Sequence, residues 1–256
     1  MDFSRLGPPR GSRLLVVGGC GGIGRALVAA ALETGLRVAV FDLPKSMEEH
    51  RPSKDVEFSF GLDATDERAV HQAFHSLEDK FQGLDGLVNL AGFTNLPTPV
   101  ANIGPKEFDT IVSGSLWTTY NVAHAALPLM RKAGRGAIVH TASGLAVRLL
   151  PGFGPYGAAK AGVIGLTKAI AVENAPAIRA NTIAPGVIDT EFHVGGTGRE
   201  HPGPEFIDAE AYAKTVPMRR IGVPEDVVGP ILFLLGPASG FMTGQTLFIN
   251  GGGLTP

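Results

Sequence analysis

Cysteine is nearly absent. Cys20 stands alone in 256 residues, so no intrachain disulfide and no cysteine-cluster metal site can form. The chain also lacks any block of lysine and arginine, and a net charge of −2 offers no electrostatic footprint for nucleic acid or an anionic membrane surface. No uninterrupted apolar run approaches bilayer-spanning length, and the opening residues lack the apolar core of a signal peptide. A soluble, cytoplasmic protein is expected. Internal repeats and low-complexity segments are missing too. What the chain does have is 44% hydrophobic residues and 35 glycines. That composition can fill a large core, and one α/β domain over residues 1–256, with a tail at 1–12, is favoured over two smaller ones.

The first informative stretch is an apolar run, Arg13 to Val17, that breaks into the glycine-rich 18–24 and then into helix-forming residues. Strand, glycine turn and helix in this order cradle a pyrophosphate: glycine lets the backbone approach, and the free N–H groups and positive end of the helix stabilise the charge. Two registers coexist. Gly19, Gly21 and Gly24 satisfy Gly-x-Gly-x-x-Gly, and Gly18, Gly22 and Gly24 satisfy Gly-x-x-x-Gly-x-Gly. Cys20, inside this turn, is read as packed rather than reactive. The next predicted strand, 36–42, ends at Asp42, eighteen residues after Gly24. An acid there accepts hydrogen bonds from the adenosine ribose and repels a 2′-phosphate, which favours NAD over NADP. Lys45, close by, is the one residue that argues the other way.

The chemistry is placed between Ser143 and Lys160. Behind Pro155 a helix of small residues begins, with proline where its missing N–H costs nothing. Tyr156 and Lys160 then stand at i and i+4 on one face. At roughly 5 Å and an effective dielectric near 20, an ammonium favours the phenolate by about 3 kcal/mol, about two pKa units. On this reading Lys160 lowers the Tyr156 pKa, Tyr156 acts as acid or base on an alcohol/ketone pair, and the Ser143 hydroxyl donates to the oxygen where charge develops. A Tyr-x-x-x-Lys alone is a weak signal.

Its company is more specific. Ser143 precedes Tyr156 by thirteen residues, and with the glycine turn, Asn89-Leu-Ala91-Gly92 and the Pro185-Gly186 turn, the chain from about Arg13 to Gly252 resembles the classical short-chain dehydrogenase/reductase family. The resemblance implies a single-domain Rossmann fold, a doubly wound seven-stranded and mainly parallel sheet flanked by helices. It favours the second glycine register and implies that NAD is held by Gly18, Gly22, Ile23, Gly24, Asp42, Leu43, Asp63, Ala64, Asn89, Ala91, Gly92, Tyr156, Lys160, Pro185, Gly186, Ile188 and Thr190. Within that set, Asp63 and Ala64 border the adenine, and the Ile188 backbone and Thr190 hydroxyl hold the carboxamide. It also implies a homotetramer formed through the 105–131 segment and the Tyr156 helix.

Four departures are visible. Val17 stands where the family has Thr, Leu90 where it has a second Asn, and Asn250 where it has Asp. Ser115 occupies the position of an Asn that in the family holds a water connecting the catalytic Lys to solvent. Asn121 cannot substitute in a regular helix, because six residues later means about 240° around the axis. Ser115 is therefore carried as a catalytic candidate holding that water with a shorter arm. Elsewhere, Thr65 or Asp66 is expected to cap a helix over 67–81, and another helix is expected over 224–235. Residues 187–215, rich in glycine, proline and charge, read as a substrate lid. His193 and His201 there are read as solvated, and no metal is expected. Leu145 is taken as a substrate contact and, with Leu149, Leu150 and Phe153, suggests an apolar wall. Arg148 faces either water or an anionic substrate group. The expected substrate is a small alcohol or ketone with an apolar part. The expected activity is NAD-dependent interconversion of a secondary alcohol and a ketone. Its rivals are 3-oxoacyl thioester reduction, which in this family typically uses NADP, and a catalytically silent binding or assembly module.

Overall fold

Seven short apolar runs become the strands of one sheet in a computed structural model that describes residues 6–94, 96–199 and 207–255. They are β1 Arg13–Val17, β2 Arg37–Asp42, β3 Phe58–Gly61, β4 Gly86–Asn89, β5 Gly136–Thr141, β6 Ile178–Pro185 and β7 Thr246–Ile249. Every pairing is parallel, in the order β3-β2-β1-β4-β5-β6-β7. The chain crosses over between β3 and β4, so the C-terminal ends of the adjacent β1 and β4 form the crevice where open α/β sheets bind ligands. Both faces are covered, which is why the inner strands read as continuous apolar runs rather than alternating ones. Leu15, Leu87 and Ile138 face one helical layer, while Val16, Val88 and Val139 face the other.

The helices are α1 Gly22–Glu33, α2 Pro44–Glu49, α3 Glu67–Phe81, α4 Pro105–Val112, α5 Thr118–Ala133, α6 Gly154–Asn174, α7 Ala209–Thr215 and α8 Pro224–Leu235. α3 shows the local logic clearly. Asp66 caps it, its carboxylate accepting from the Arg68 and Ala69 N–H groups, and Val70, Ala73, Phe74, Leu77 and Phe81 form its buried face. Of the two expected caps, the structure selects Asp66.

Three segments take a form that the sequence did not specify. The 105–131 segment is not one regular helix, because a π-helical turn, Ser113–Trp117, separates α4 from α5. Gly114 makes this turn possible, since a Cβ there would overlap the Phe93 ring. The described part of the 1–12 tail is docked: the Gly11 N–H donates to Gly35 O at 2.8 Å and the Arg37 N–H to Ser12 O at 3.0 Å. The lid holds ordered elements, a 3₁₀ turn at Glu191–Val194 and α7, and is tied to Gly222 by a parallel bridge at Ile188.

At the opposite end of the sheet from the crevice, an ion-pair cluster fastens β1 to β4. Asp85 takes the Arg13 guanidinium at 2.7 and 3.0 Å, the Arg13 N–H at 3.0 Å and Arg135 Nε at 3.0 Å. Burial pushes the Asp85 carboxyl up, but these bonds and the Arg13 charge outweigh it and hold the pKa at about 2. The folded chain thus binds this proton less tightly than the unfolded one, whose carboxyl titrates near 3.8. The resulting stability is fully present above about pH 4 and is lost as pH falls through about 2. Asp85→Asn should therefore cost about 2 kcal/mol in urea unfolding at neutral pH. The difference from wild type should shrink progressively between about pH 4 and pH 2, and a gap independent of pH would show that the cluster is not the cause.

Candidate active site

The glycine turn is shaped by backbone contacts that exclude side chains. Gly18 has φ +80°, and a Cβ on it would lie 2.9 Å from the Ala91 nitrogen; one on Gly22 would lie 2.5 Å from Thr190 Cγ2, and one on Gly24 would overlap the Gly18 carbonyl oxygen. Gly21 has room for a Cβ at ordinary contact distance, 3.5 Å from Gly18 O. The register of Gly18, Gly22 and Gly24 is thus the one in which all three positions demand glycine for space. No side chain caps the start of α1 and no acid sits in its first turn. Its N–H groups and positive dipole end are therefore available to an anion. This cradle fits a dinucleotide pyrophosphate.

Asp42 ends β2 beside the turn. One carboxylate oxygen accepts the Cys20 N–H at 2.8 Å and the other the Leu43 N–H at 2.7 Å. Burial raises its pKa against these bonds. The Ser46 and Cys20 side chains also donate to this carboxylate, which lines the cleft beside the glycine turn. Cys20 is buried, and burial together with the Asp42 charge pushes its thiol up to about 12, consistent with the packing role expected.

Across the crevice, Ser143 follows β5, while Tyr156 and Lys160 sit in the first two turns of α6. Pro155 lies in the first turn of that helix, as expected. Gly157 admits the 145–149 segment, because a Cβ on it would overlap Leu149. Both Tyr156 and Lys160 are buried, at 7% and 3% exposure. The ammonium lies 5.5 Å from the Tyr156 ring centroid and donates to Thr141 O at 2.8 Å. Burial lowers the Lys160 pKa to about 8. The Tyr156 phenol goes the other way from expectation. Burial raises it to about 12, with a hydrogen bond from Ser143 pulling it only part of the way back. Desolvation of the phenolate, an effect absent from a two-charge estimate, is therefore the dominant cause.

Ser115 lies fully buried behind Gly92, not on the cleft wall. A Cβ built on Gly92 would be 3.1 Å from Ser115 Oγ and 3.2 Å from Lys160 Nζ, so the hydroxyl and the ammonium flank the same glycine. Among the described residues Ser115 Oγ has no hydrogen-bond partner. Asn121 is committed elsewhere, donating to Ala64 O and Thr65 O. Asn89, expected both to line the cofactor and to brace the sheet, lies behind the cleft wall and makes bracing bonds: it accepts the Ala91 N–H at 3.1 Å and donates to Thr119 Oγ1 at 3.4 Å. The other expected cofactor positions, with Ser143 and Leu145, line one cleft of about 1280 Å³. That exceeds the roughly 300–1,000 Å³ of an ordinary small-ligand pocket and leaves space for substrate beside a dinucleotide. Leu150, Phe153 and Arg148 also line it, whereas Leu149 is exposed outside it. His193 Nε2 donates to Ile188 O at 2.6 Å, and His201 lies outside the described residues.

The sequence did not point to several residues of this site. Phe192, its ring 6.1 Å from that of Tyr156, and Tyr212, Arg199 and Leu254 also line the cleft. Asn250 holds the last of these in place, donating to Leu254 O at 2.9 Å, a bond that the family's Asp could not donate. His140, fully buried beneath the site, donates through Nδ1 to Thr167 Oγ1 at 3.0 Å, because the Thr167 hydroxyl itself donates to Val163 O. Burial and the Lys160 charge hold His140 neutral, with a pKa of about 3. A buried histidine on a strand carries no sequence signal that separates it from an apolar core residue.

A parallel sheet with a glycine turn after β1, an acid after β2 and a serine, tyrosine and lysine around one cleft defines a nicotinamide-dinucleotide oxidoreductase fold. Residues 18–253 match the family described as Enoyl-(Acyl carrier protein) reductase. The chain is 33% identical to the 3-oxoacyl-(acyl-carrier-protein) reductase of Chlamydia pneumoniae over 94% of this chain and 96% of that one. It is 30% identical to 2-(S)-hydroxypropyl-CoM dehydrogenase 3 of Xanthobacter autotrophicus over 93% and 95%. Among solved structures, NADP-bound ElxO superposes with a TM-score of 0.85 at 29% identity, covering 96% of this chain and all, 100%, of that one. The chain belongs to the short-chain dehydrogenase/reductase family, whose members are oxidoreductases that bind a nicotinamide cofactor.

Proposed function

We propose that the protein is an NAD(H)-dependent oxidoreductase that interconverts a secondary alcohol and a ketone bearing an apolar group. The observation that carries this reading is the convergence of Ser143, Tyr156 and Lys160 on one largely apolar cleft beside the glycine turn. In the oxidative direction the Tyr156 phenolate takes the hydroxyl proton, and the Ser143 hydroxyl, oriented by the Leu145 N–H at 3.2 Å, donates to the substrate oxygen. Lys160 supplies the fixed positive charge that stabilises the phenolate. When bound, oxidised nicotinamide would supply the hydride acceptor and a further positive charge. Lys160 would then act together with that charge, against burial, to lower the Tyr156 pKa. On this proposal Ser115 Oγ, which flanks Gly92 with Lys160 Nζ, holds a buried water that passes the proton onward, the role carried by Asn elsewhere in the family.

Gly18, Gly22, Ile23 and Gly24 hold the pyrophosphate, Asp42 and Leu43 the adenosine ribose, and Asp63 and Ala64 the adenine. Ala91, Gly92, Pro185, Gly186, Ile188 and Thr190 line the nicotinamide half. The exposed aromatic side chains Trp117 and Tyr120, packed edge to face at the start of α5, support assembly as a homotetramer. A second reading, reduction of a 3-oxoacyl thioester, is favoured by the names of the relatives. Turnover with a 3-oxoacyl thioester and a reduced dinucleotide, in preference to a panel of ketones and secondary alcohols, would establish it in place of the first.

Asp42 supports NAD over NADP by at least about tenfold in kcat/KM, equivalent to 1.4 kcal/mol. Asp42→Ser should narrow that gap mainly by weakening NAD. Equal kcat/KM with both dinucleotides in the wild type would contradict the assignment. Tyr156→Phe should lower turnover by about 10²–10⁴-fold with little change in dinucleotide affinity, and substantial residual turnover would place the chemistry elsewhere. Ser115→Ala should lower kcat by about tenfold. Ser115→Asn reads the space around the proposed water. Because the π turn seals Ser115 behind Gly92, the larger side chain should lower the melting temperature, and an unchanged melting temperature with faster turnover would show the pocket still fits Asn.

A further inference from the structure

Arg199 carries a charge that nothing described in the protein neutralises at close range. The lid leaves its 3₁₀ turn and settles on α2: Ser46 Oγ donates to Thr197 Oγ1 at 3.2 Å, the Gly198 N–H donates to Glu49 Oε2 at 2.9 Å, and Lys45 Nζ donates to Arg199 O at 3.5 Å. Gly198 has φ +69°, and a Cβ on it would overlap Ser46, so only glycine lets the segment lie this close. The backbone of Arg199 is thus anchored beside β2. Its guanidinium carbon, however, sits 3.3 Å above the ring of Phe93, beyond the end of β4. β1 lies between β2 and β4 in the sheet. The side chain therefore reaches across the crevice on the side of the glycine turn that ends β1, and it lines the same cleft.

This guanidinium is half-buried, and burial lowers its pKa, opposed only by the distant charge of Asp63. Among the described residues no carboxylate lies within ion-pair distance of it. A partly desolvated cation without a counter-ion is unfavourable unless a ligand completes it. One face of the guanidinium packs on Phe93, which leaves its N–H edges free to donate into the cleft. The lid is also held to the glycine turn from the other side, because Arg25 donates both to Cys20 O at 2.8 Å and to Glu191 Oε1 at 2.6 Å.

We propose that Arg199 is a phosphate-holding residue of the dinucleotide cleft, fastening the lid over the bound cofactor by donating to one of its phosphates. This rests on the reading of the cleft as a dinucleotide site. The phosphate belongs either to the pyrophosphate or, in NADP, to the ribose 2′ position, and the two are separable by experiment.

Calorimetric titration of wild type, Arg199→Met, Arg199→Ala and Arg199→Lys with NAD, NADP, ADP-ribose and adenosine tests it. Met keeps the apolar packing on Phe93 without the charge. Both neutral variants should bind NAD and ADP-ribose at least about tenfold more weakly, as expected for a lost charge-assisted hydrogen bond. Lys should recover part of the loss, and adenosine should bind all four proteins alike. A loss confined to NADP would assign Arg199 to the 2′-phosphate. Unchanged affinity for every phosphate-bearing probe, or an equal loss with adenosine, would overturn the proposal. Failure of the wild type to bind any dinucleotide would instead overturn the reading of the cleft.

Discussion

A buried ammonium sets the terms for the rest of the site. Among the described residues Lys160 has no carboxylate within ion-pair distance, and its ammonium donates to the carbonyl of Thr141 at the end of β5. Keeping a cation in such a place is costly, and the surrounding structure is arranged around that cost. α6 carries Lys160, the lack of a side chain on Gly92 lets the ammonium and Ser115 Oγ approach the backbone there, and Gly114 accommodates the Phe93 ring at the π turn that carries Ser115. Burial lowers the Lys160 pKa and raises that of Tyr156. Under the proposed function the pair is poised rather than active by itself, and a further positive charge in the cleft would favour the phenolate. Coupling of proton transfer to bound oxidised nicotinamide is part of that proposal.

The cleft is closed from one side by chain that belongs to no sheet element. Asp42 ties β2 to the glycine turn through the Cys20 N–H, Arg25 ties the turn to Glu191, and Gly198 ties the lid to α2. The glycine turn, β2, α2 and the 191–198 segment thus hold one another along this side of the cleft. Leu254, fixed by Asn250 next to Gly144, lines the cleft together with Phe192 and Tyr212. This part of the wall is built by segments far apart in sequence.

The parts legible in the sequence were those governed by local rules. The glycine turn, the acid at the end of β2, the cap at Asp66 and the helix bearing Tyr156 and Lys160 each follow from spacing and backbone chemistry within a few residues. The sheet order could be expected only through resemblance. What stayed hidden depends on packing between distant segments. The π turn answers to Phe93 lying against Gly114, the role of Asn89 to Thr119, and the perch of Arg199 to α2 and Phe93. The sign of the Tyr156 shift was misjudged for the same reason. A Coulomb estimate between neighbours on a helix leaves out how much of the surrounding chain removes water from the phenol.

Titration of the Tyr156 phenolate by ultraviolet difference spectroscopy, with Tyr156→Phe as the blank, tests the central claim most directly. Alone, the protein should show this phenol ionising only near pH 12. With saturating oxidised dinucleotide the ionisation should move toward neutrality in the wild type, and much less in Lys160→Met. No shift on adding oxidised dinucleotide, or the same shift without the Lys160 charge, would contradict the account.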